Sequence, residues 1–441
     1  MKTQFRIRTI VLLLVLGILL LPVGGLAGQA KNIILMIGDG MGPNHFGAAW
    51  LYSNRVLGKE LRMVGVMKSG RTAYVVNDGA DAIVTESAAA ATQIACGVKV
   101  AARVVGMGPD GKTPCKTILE TAREKGMATG LVTTSGITDA TPAAFAAHVE
   151  HRSDEASVAA QELQLGVDVL FGGRKQFFLP ESTGGKRKDG RDLIEEARRA
   201  GYVVVGTASE LKQATGGKIL GLFNMGNMAY EIDRAKTAEP SLAEMTVKTL
   251  EVLAQNPKGF FSMIEGGRID HAAHRNDAAG TIRDVLAFDD AVGVALEFQR
   301  KNPDTLLIVT ADHETGGMAL IGRSKKHVGM DLFAIQKVQS SLERILEALG
   351  KNPTSENVRD VVKKHTAIGI TEEEARLAAN DTLHTLASVL QPYLGVGWAS
   401  QGHTASPLFA FGSGPGSEDL VGFRHNTELF HIMKAALEAG R

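Results

Sequence analysis

The chain runs to 441 residues, and its 48 Lys and Arg balance its 48 Asp and Glu. That balance leaves no net field to draw nucleic acid or an anionic membrane surface, so neither is expected as a partner. Glycine is abundant at 50 residues, and many glycines sit beside acidic clusters, where backbone must approach a ligand closely.

The first thirty residues read as an address. Lys2, Arg6 and Arg8 make a basic start, residues 10–21 are apolar apart from Gly17, and Pro22 breaks the run. Small-residue sites follow at Gly25-Leu26-Ala27 and Gly28-Gln29-Ala30, which is the layout of a secretory signal peptide over residues 1–30. An uncleaved anchor is the competing reading, but the run falls short of the ~18 residues a span needs. Residues 31–441 are therefore expected to form an exported domain, periplasmic or secreted, without stable membrane association. Export permits oxidation of Cys96 and Cys115, the two cysteines, yet a disulfide and two separate thiols both remain open.

In chain order, Asn32-Ile33-Ile34-Leu35-Met36-Ile37 reads as a buried strand and runs into Gly38-Asp39-Gly40-Met41-Gly42. Val84-Thr85-Glu86-Ser87 starts polar and passes into a small-residue helix. A helix over 117–125 precedes a strand over 127–134, and strands at 167–171 and 202–205 flank a helix at 193–199. The Gly- and Lys-rich stretch 181–191 reads as a loop. The apolar run 259–264 leads into Glu265, Asp270, His271 and His274, and the run 305–309 leads into Asp312 and His313. This rhythm predicts an α/β fold with a large, mostly parallel central sheet and helices on both faces. After Gly322 the apolar spacing turns helical, as in Leu342, Ile345, Leu346 and Leu349, and Thr371 with Glu374 forms a capping box. A helical insertion over about 322–395 is expected before Gly402-His403-Thr404. A strand at 408–411 and a helix from about 427 to 438 close the chain.

Three acid-bearing clusters thus directly follow strands, and in open α/β sheets ligands bind outside the carboxyl ends of strands. Asp, Glu and His are zinc and magnesium ligands, so convergence at that edge points to a multi-metal hydrolytic site. Asp270 and His274, four apart, share one helix face. Taken singly each cluster is weak, because such a pair is usually a surface coincidence and His403 could be a satisfied core histidine. The loop after the first strand has Pro43 where a dinucleotide fingerprint wants glycine, which excludes that reading. Ser87 would sit in the first turn of its helix, where free N–H groups favour anionic oxygen. A neighbouring metal could stabilise its alkoxide; the plainer reading is that Glu86 and Ser87 only cap the helix.

Gly38-Asp39-Gly40-Met41-Gly42, Thr85-Glu86-Ser87-Ala88-Ala89, Asp139-Ala140-Thr141-Pro142, Glu265 to His274, Thr310-Ala311-Asp312-His313 and Gly402-His403-Thr404 occur here in one order. In that order the chain resembles the alkaline phosphatases, from about residue 31 to the C-terminus with the insertion excepted. The resemblance implies a homodimeric exported metalloenzyme that hydrolyses phosphate monoesters through a phosphoserine on Ser87. By position it implies Asp270, His274 and His403 as ligands of one zinc, and Asp312, His313 and Asp39 as ligands of a second. Asp39, Thr141 and Glu265 would share a magnesium, giving two zinc ions and one magnesium per chain. Arg152 matches the arginine that grips phosphate.

Departures are informative. Glu86 stands where the family usually has aspartate, one methylene shorter, and His271 and Asp139 fall at variable positions beside the ligands. Related sulfatases need proline and arginine after the nucleophile, where Ala89 and Ala91 stand here. Two other functions fit parts of the pattern: a phosphodiesterase on the same scaffold, and a periplasmic phosphate- or metal-binding protein without catalysis. The magnesium set and Arg152 argue against the first, and Ser87 beside a complete ligand set argues against the second.

Overall fold

The computed structural model describes residues 29–321, 331–380 and 382–438. The signal-peptide reading falls almost wholly outside these residues, as does the 322–330 start of the insertion. Strands β1 (Asn32–Ile37), β2 (Arg71–Val76), β3 (Ala128–Gly136), β4 (Val169–Gly173), β5 (Val203–Val205), β6 (Ile219–Leu222), β7 (Phe260–Glu265) and β8 (Thr305–Thr310) come first. Four two-residue strands follow: β9 (Glu314–Thr315), β10 (Ala319–Leu320), β11 (Val396–Gly397) and β12 (His403–Thr404). Then come β13 (Leu408–Ser413) and β14 (Gly422–His425).

Ten of these make one sheet in the order β14-β2-β13-β8-β1-β7-β3-β4-β6-β5. Only β13 runs against its neighbours, β2 and β8. The expected mostly parallel α/β sheet is what forms. Strands β1, β4, β6, β7 and β8 are buried from end to end, as their unbroken apolar runs require when helices cover both faces. Register then sets the site: Ile37 at the end of β1 lies level with Glu265 on β7 and Thr310 on β8. Thr133 of β3 is level with Glu265 as well. The loops carrying Asp39, Glu265 and Asp312 therefore leave the sheet side by side.

The insertion builds its own core. Helices Leu332–Lys337, Leu342–Leu349, Ser355–Thr366, Glu372–Asn380 and Thr382–Leu394 follow in series. Leu342, Ile345, Leu349, Val358, Val362, Leu386 and Leu390 bury one another together with Ala48, Tyr52, Ala278 and Ile282 of the helices beneath. The capping box forms, with Thr371 and Glu374 bonding reciprocally to each other's backbone N–H. Strands β10 and β11 pair antiparallel and close the neck of the segment. Asp277 ties it to the core by capping the long helix Ala278–Lys301 while accepting from Leu342 N at 2.7 Å.

The open question about the cysteines is answered by a Cys96–Cys115 disulfide. It closes a loop of 19 residues' separation, worth about 3 kcal/mol in the chain-entropy account. Cys96 is the last residue of the helix Ser87–Cys96, so the bond fastens the loop 97–114 to that helix.

Candidate active site

Sequence dictates the tightness of the first loop. Gly40 has φ +69°, and a Cβ there would meet Asp270 Cα at 2.9 Å, so only glycine lets the backbone turn this close to the Asp270 helix. Its N–H donates to Asp312 Oδ1 at 3.0 Å. The helix Arg268–His274 presents Asp270 and His274 together, as their spacing predicts. His403 arrives by another route: β12 pairs with β9, with His403 opposite Thr315.

Ser87 opens a helix whose every residue is buried; its alanines let the helix sit against its neighbours without side chains intervening. Glu86 is the N-cap, accepting from Ala88 N and Ala89 N at 3.2 and 2.9 Å. Ser87 Oγ faces His313 Nε2 at 3.1 Å. The capping reading of Glu86 is correct, and it does not displace the chemical one, because the same carboxylate also binds Arg152.

Two groups of potential ligands gather around that oxygen: Asp39, Asp312 and His313, and Asp270, His313 and His403, each with donor atoms within 4.8 Å of one another. The first is the trio expected for the second zinc. In the other, His313 stands closer than His274, although His274 Nε2 is only 3.3 Å from Asp270 Oδ2 and 3.0 Å from His403 Nε2. The imidazoles reveal their orientation. His274 Nδ1 lies 2.5 Å from Gln401 O, and His403 Nδ1 lies 3.0 Å from Thr85 O. Carbonyls only accept, so each Nδ1 donates outward, and the two Nε2 atoms turn inward toward each other and Asp270. Such pairs are set for a cation, the usual arrangement in which a ligand histidine donates its other N–H outward.

The acids tell the same story. Asp39 Oδ1, Asp312 Oδ2, Thr141 Oγ1 and both oxygens of Glu265 are buried without a hydrogen-bond partner, a combination that buried polar groups rarely show. Burial, with Asp312, Asp270 and Glu265 nearby, holds Asp39 well above the usual carboxylate range. Burial pushes Glu265 up to about 8, aided by Asp139 and Asp312. The Thr133 and Thr141 hydroxyls oppose that rise but do not reach hydrogen-bond geometry. Asp312 is likewise raised to about 7, chiefly by burial. Asp270 goes the other way: against the effect of burial, its bond to His274 and the charges of His313 and His274 hold it well below the usual range. Oxygen-rich and nitrogen-rich donors lie side by side, and the donor set fits hard and borderline divalent ions.

The opposite wall is cationic. Arg152 gives Nη1 to Glu86 Oε2 at 2.6 Å and Nη2 to Asp139 Oδ1 at 3.0 Å. Each nitrogen keeps a second N–H for an anion. Asp139 in turn receives Arg174 at 2.9 Å and lies 4.0 Å from His271 Nε2. Although burial opposes it, Arg174 and Arg152 hold Asp139 well below the ordinary range. His271 is lowered to about 4 by burial and by Arg268, which sits 2.9 Å from His271 Nδ1 and stacks on Tyr230 at 3.6 Å. Sequence reasoning did not find Arg174, Glu155 or Arg268. Arg174 carried a usable signal, since it follows Gly172-Gly173 at the end of β4, the same strand-end setting as the acids.

With this geometry in hand the relatives are informative. A family model described as alkaline phosphatase matches residues 30–439. The chain belongs to the alkaline phosphatase family. Alkaline phosphatase 4 of Bacillus subtilis is 34% identical, across 94% of this chain and 90% of that protein. The crystal structure of the Thermus thermophilus alkaline phosphatase matches with a TM-score of 0.87 at 32% identity, covering 94% of this chain and 93% of that one. A variant of the alkaline phosphatase from the Antarctic bacterium TAB5, with magnesium bound in its M3 site, matches at TM-score 0.70 and 26% identity over 94% and 100% of the two chains. The enzyme is accordingly a metal-dependent hydrolase of phosphate monoesters. Among the described residues no helix is long and apolar enough to cross a membrane.

Proposed function

We propose that Ser87 is the nucleophile of this phosphatase and forms a phosphoserine that water then hydrolyses. The observation that carries the reading is Ser87 Oγ at a helix N-terminus, 3.1 Å from His313 Nε2 and flanked by two groups of acid and histidine donors that share His313. Asp39, Asp312 and His313 would hold one zinc, and Asp270, His274 and His403 the other. Asp39, Thr141 and Glu265 would hold a magnesium, their unpartnered oxygens supporting that assignment. Two such ions supply charge stabilisation to the entering and leaving oxygens of an in-line displacement.

The chain's own residues do the remainder. The helix N-terminus draws negative charge to Ser87 and to a phosphate beside it. Arg152 grips two phosphate oxygens through its free N–H groups and orients phosphorus toward Ser87 Oγ. Glu86 and Asp139 keep that guanidinium from turning away, and Glu86 fixes the first turn that carries the nucleophile. Glu343 of the insertion binds both Arg268 and Arg275, at 3.1 and 3.0 Å, which supports a role for the insertion as one rim of the pocket. Export of the enzyme and its assembly as a homodimer complete the reading.

Hydrolysis of p-nitrophenyl phosphate against its bis ester, with metal analysis of the same sample, tests it. Strong preference for the monoester with about two zinc ions and one magnesium per chain is expected. Preference for the diester, or activity in protein without a transition metal, would contradict it.

A further inference from the structure

Arg174 is held with unusual care for a residue outside the ligand set. It has φ +58°, a left-handed conformation that costs a non-glycine residue of order 1 kcal/mol and persists only where surroundings enforce it. Its guanidinium is engaged at three points: Asp139 Oδ2 at 2.9 Å, Glu155 Oε2 at 2.7 Å and Asn227 Oδ1 at 2.9 Å. Its stem lies across Gly136, where a Cβ would come within 2.1 Å of Arg174 Cδ. The last residue of β3 thus has to lack a side chain for Arg174 to sit where it does.

The other side of Arg152 shows a parallel arrangement. Arg103, also left-handed at φ +70°, donates its backbone N–H to Glu86 Oε1 at 2.7 Å and accepts from Arg152 N at 2.8 Å. Two strained arginines therefore brace the two carboxylates that flank one guanidinium. An alternating chain results: Glu155, Arg174, Asp139, Arg152, Glu86.

We propose that Arg174 is a positioning residue, which fixes the Asp139 carboxylate so that Arg152 holds its phosphate-binding pose before substrate arrives. This rests on the reading of Arg152 as the phosphate grip. The proposal separates from a merely structural role because its effect must pass through Arg152. If Arg174 only satisfies buried acids, its loss weakens the fold whether or not Arg152 is present.

The test is a thermodynamic cycle on the metal-loaded enzyme, read as inhibition by inorganic phosphate and as KM and kcat for p-nitrophenyl phosphate. Arg174→Gln should raise the phosphate inhibition constant about tenfold, the scale of one charge-assisted contact, and raise KM more than it lowers kcat. Arg174→Lys should recover part of the loss, since it restores charge without the planar fork. In an Arg152→Ala background, Arg174→Gln should change phosphate inhibition by less than about twofold. Gly136→Ala, which displaces the Arg174 stem, should repeat the pattern and carries the cycle if Arg174→Gln fails to fold. An unchanged inhibition constant in both Arg174→Gln and Gly136→Ala, or an equal loss with and without Arg152, would overturn the proposal. If Arg152→Ala alone leaves phosphate inhibition unchanged, the reading of Arg152 itself fails and this inference falls with it.

Discussion

The acid-and-histidine side of the pocket leaves buried oxygens of Asp39, Thr141, Glu265 and Asp312 without partners. The arginine side, by contrast, pairs each of Glu86, Asp139 and Glu155 with a guanidinium. The first side is incomplete by itself: carboxylates crowded in a buried site repel one another, which bound protons or metal cations relieve. The second side is complete before any ligand binds. Its cost of organisation falls on folding rather than on catalysis, which is how a preorganised anion site should be made. One wall depends on what it binds, and the other does not.

The largest effect should come where the two walls meet. Ser87→Ala should lower kcat/KM for p-nitrophenyl phosphate at least about a thousandfold, while metal content stays as in the wild type. A variant retaining a tenth of the activity would show that the oxygen between the walls is not the reacting one.

Chelation sharpens the contrast. Stripping metals should lower the melting temperature by about 10 °C or more, because each ion binds the folded chain alone, and added zinc and magnesium should restore it. The same treatment of a protein with Arg152→Ala should give the same drop, since the arginine wall holds no ion. Calorimetry on the four samples would break the comparison if the drop vanished in the variant.

Glu86→Asp is a gentler probe of the arginine wall. Aspartate is a good N-cap for Ala88 and Ala89, but a carboxylate one methylene shorter reaches less far toward Arg152, which Glu86 meets at 2.6 Å. The expected result is a few-fold rise in phosphate inhibition constant with stability changed by less than about 1 kcal/mol, since the cap is kept. Chemical denaturation and inhibition assays on one preparation measure both.

An effect on stability alone, with none expected on activity, lies at the joint between core and insertion. Burial raises Asp277 from 3.8 to about 6, so the folded state favours its protonated form. Its contribution is therefore full below pH 4 and is lost as pH rises through 6, by roughly 3 kcal/mol at most. Asp277→Asn does not titrate, so the stability of wild type minus variant should fall between pH 4 and pH 6. A flat difference would show that the charged carboxylate is better accommodated than burial suggests.

What sequence could say followed the same division. The strands ending at Asp39, Glu265 and Asp312 were legible because a buried strand leaves an unbroken apolar run, and the i,i+4 spacing of Asp270 and His274 survives into a real helix. Strands β2, β6 and β14 passed unnoticed. β2 and β14 are partly exposed, β14 at the edge of the sheet, and β6 is four residues long, so none carries a strong pattern. The long helix Ala278–Lys301 was also missed, since its buried positions wind around more than one face and blur the periodicity. Thr141, and the magnesium role of Glu265, entered only by likeness to the family. The bracing of Asp139 by Arg174 could not be read at all, because the two meet through the fold and the need for Gly136 appears only once its neighbour is in place.

The central claim is that a phosphoryl group passes through Ser87 between the two walls. Acid quenching of the enzyme during turnover of a radiolabelled phosphate monoester, followed by mapping of the labelled peptide, tests it most directly. The account predicts label on Ser87 in the wild type and none in Ser87→Ala; label on any other residue, or label that persists in Ser87→Ala, would contradict it.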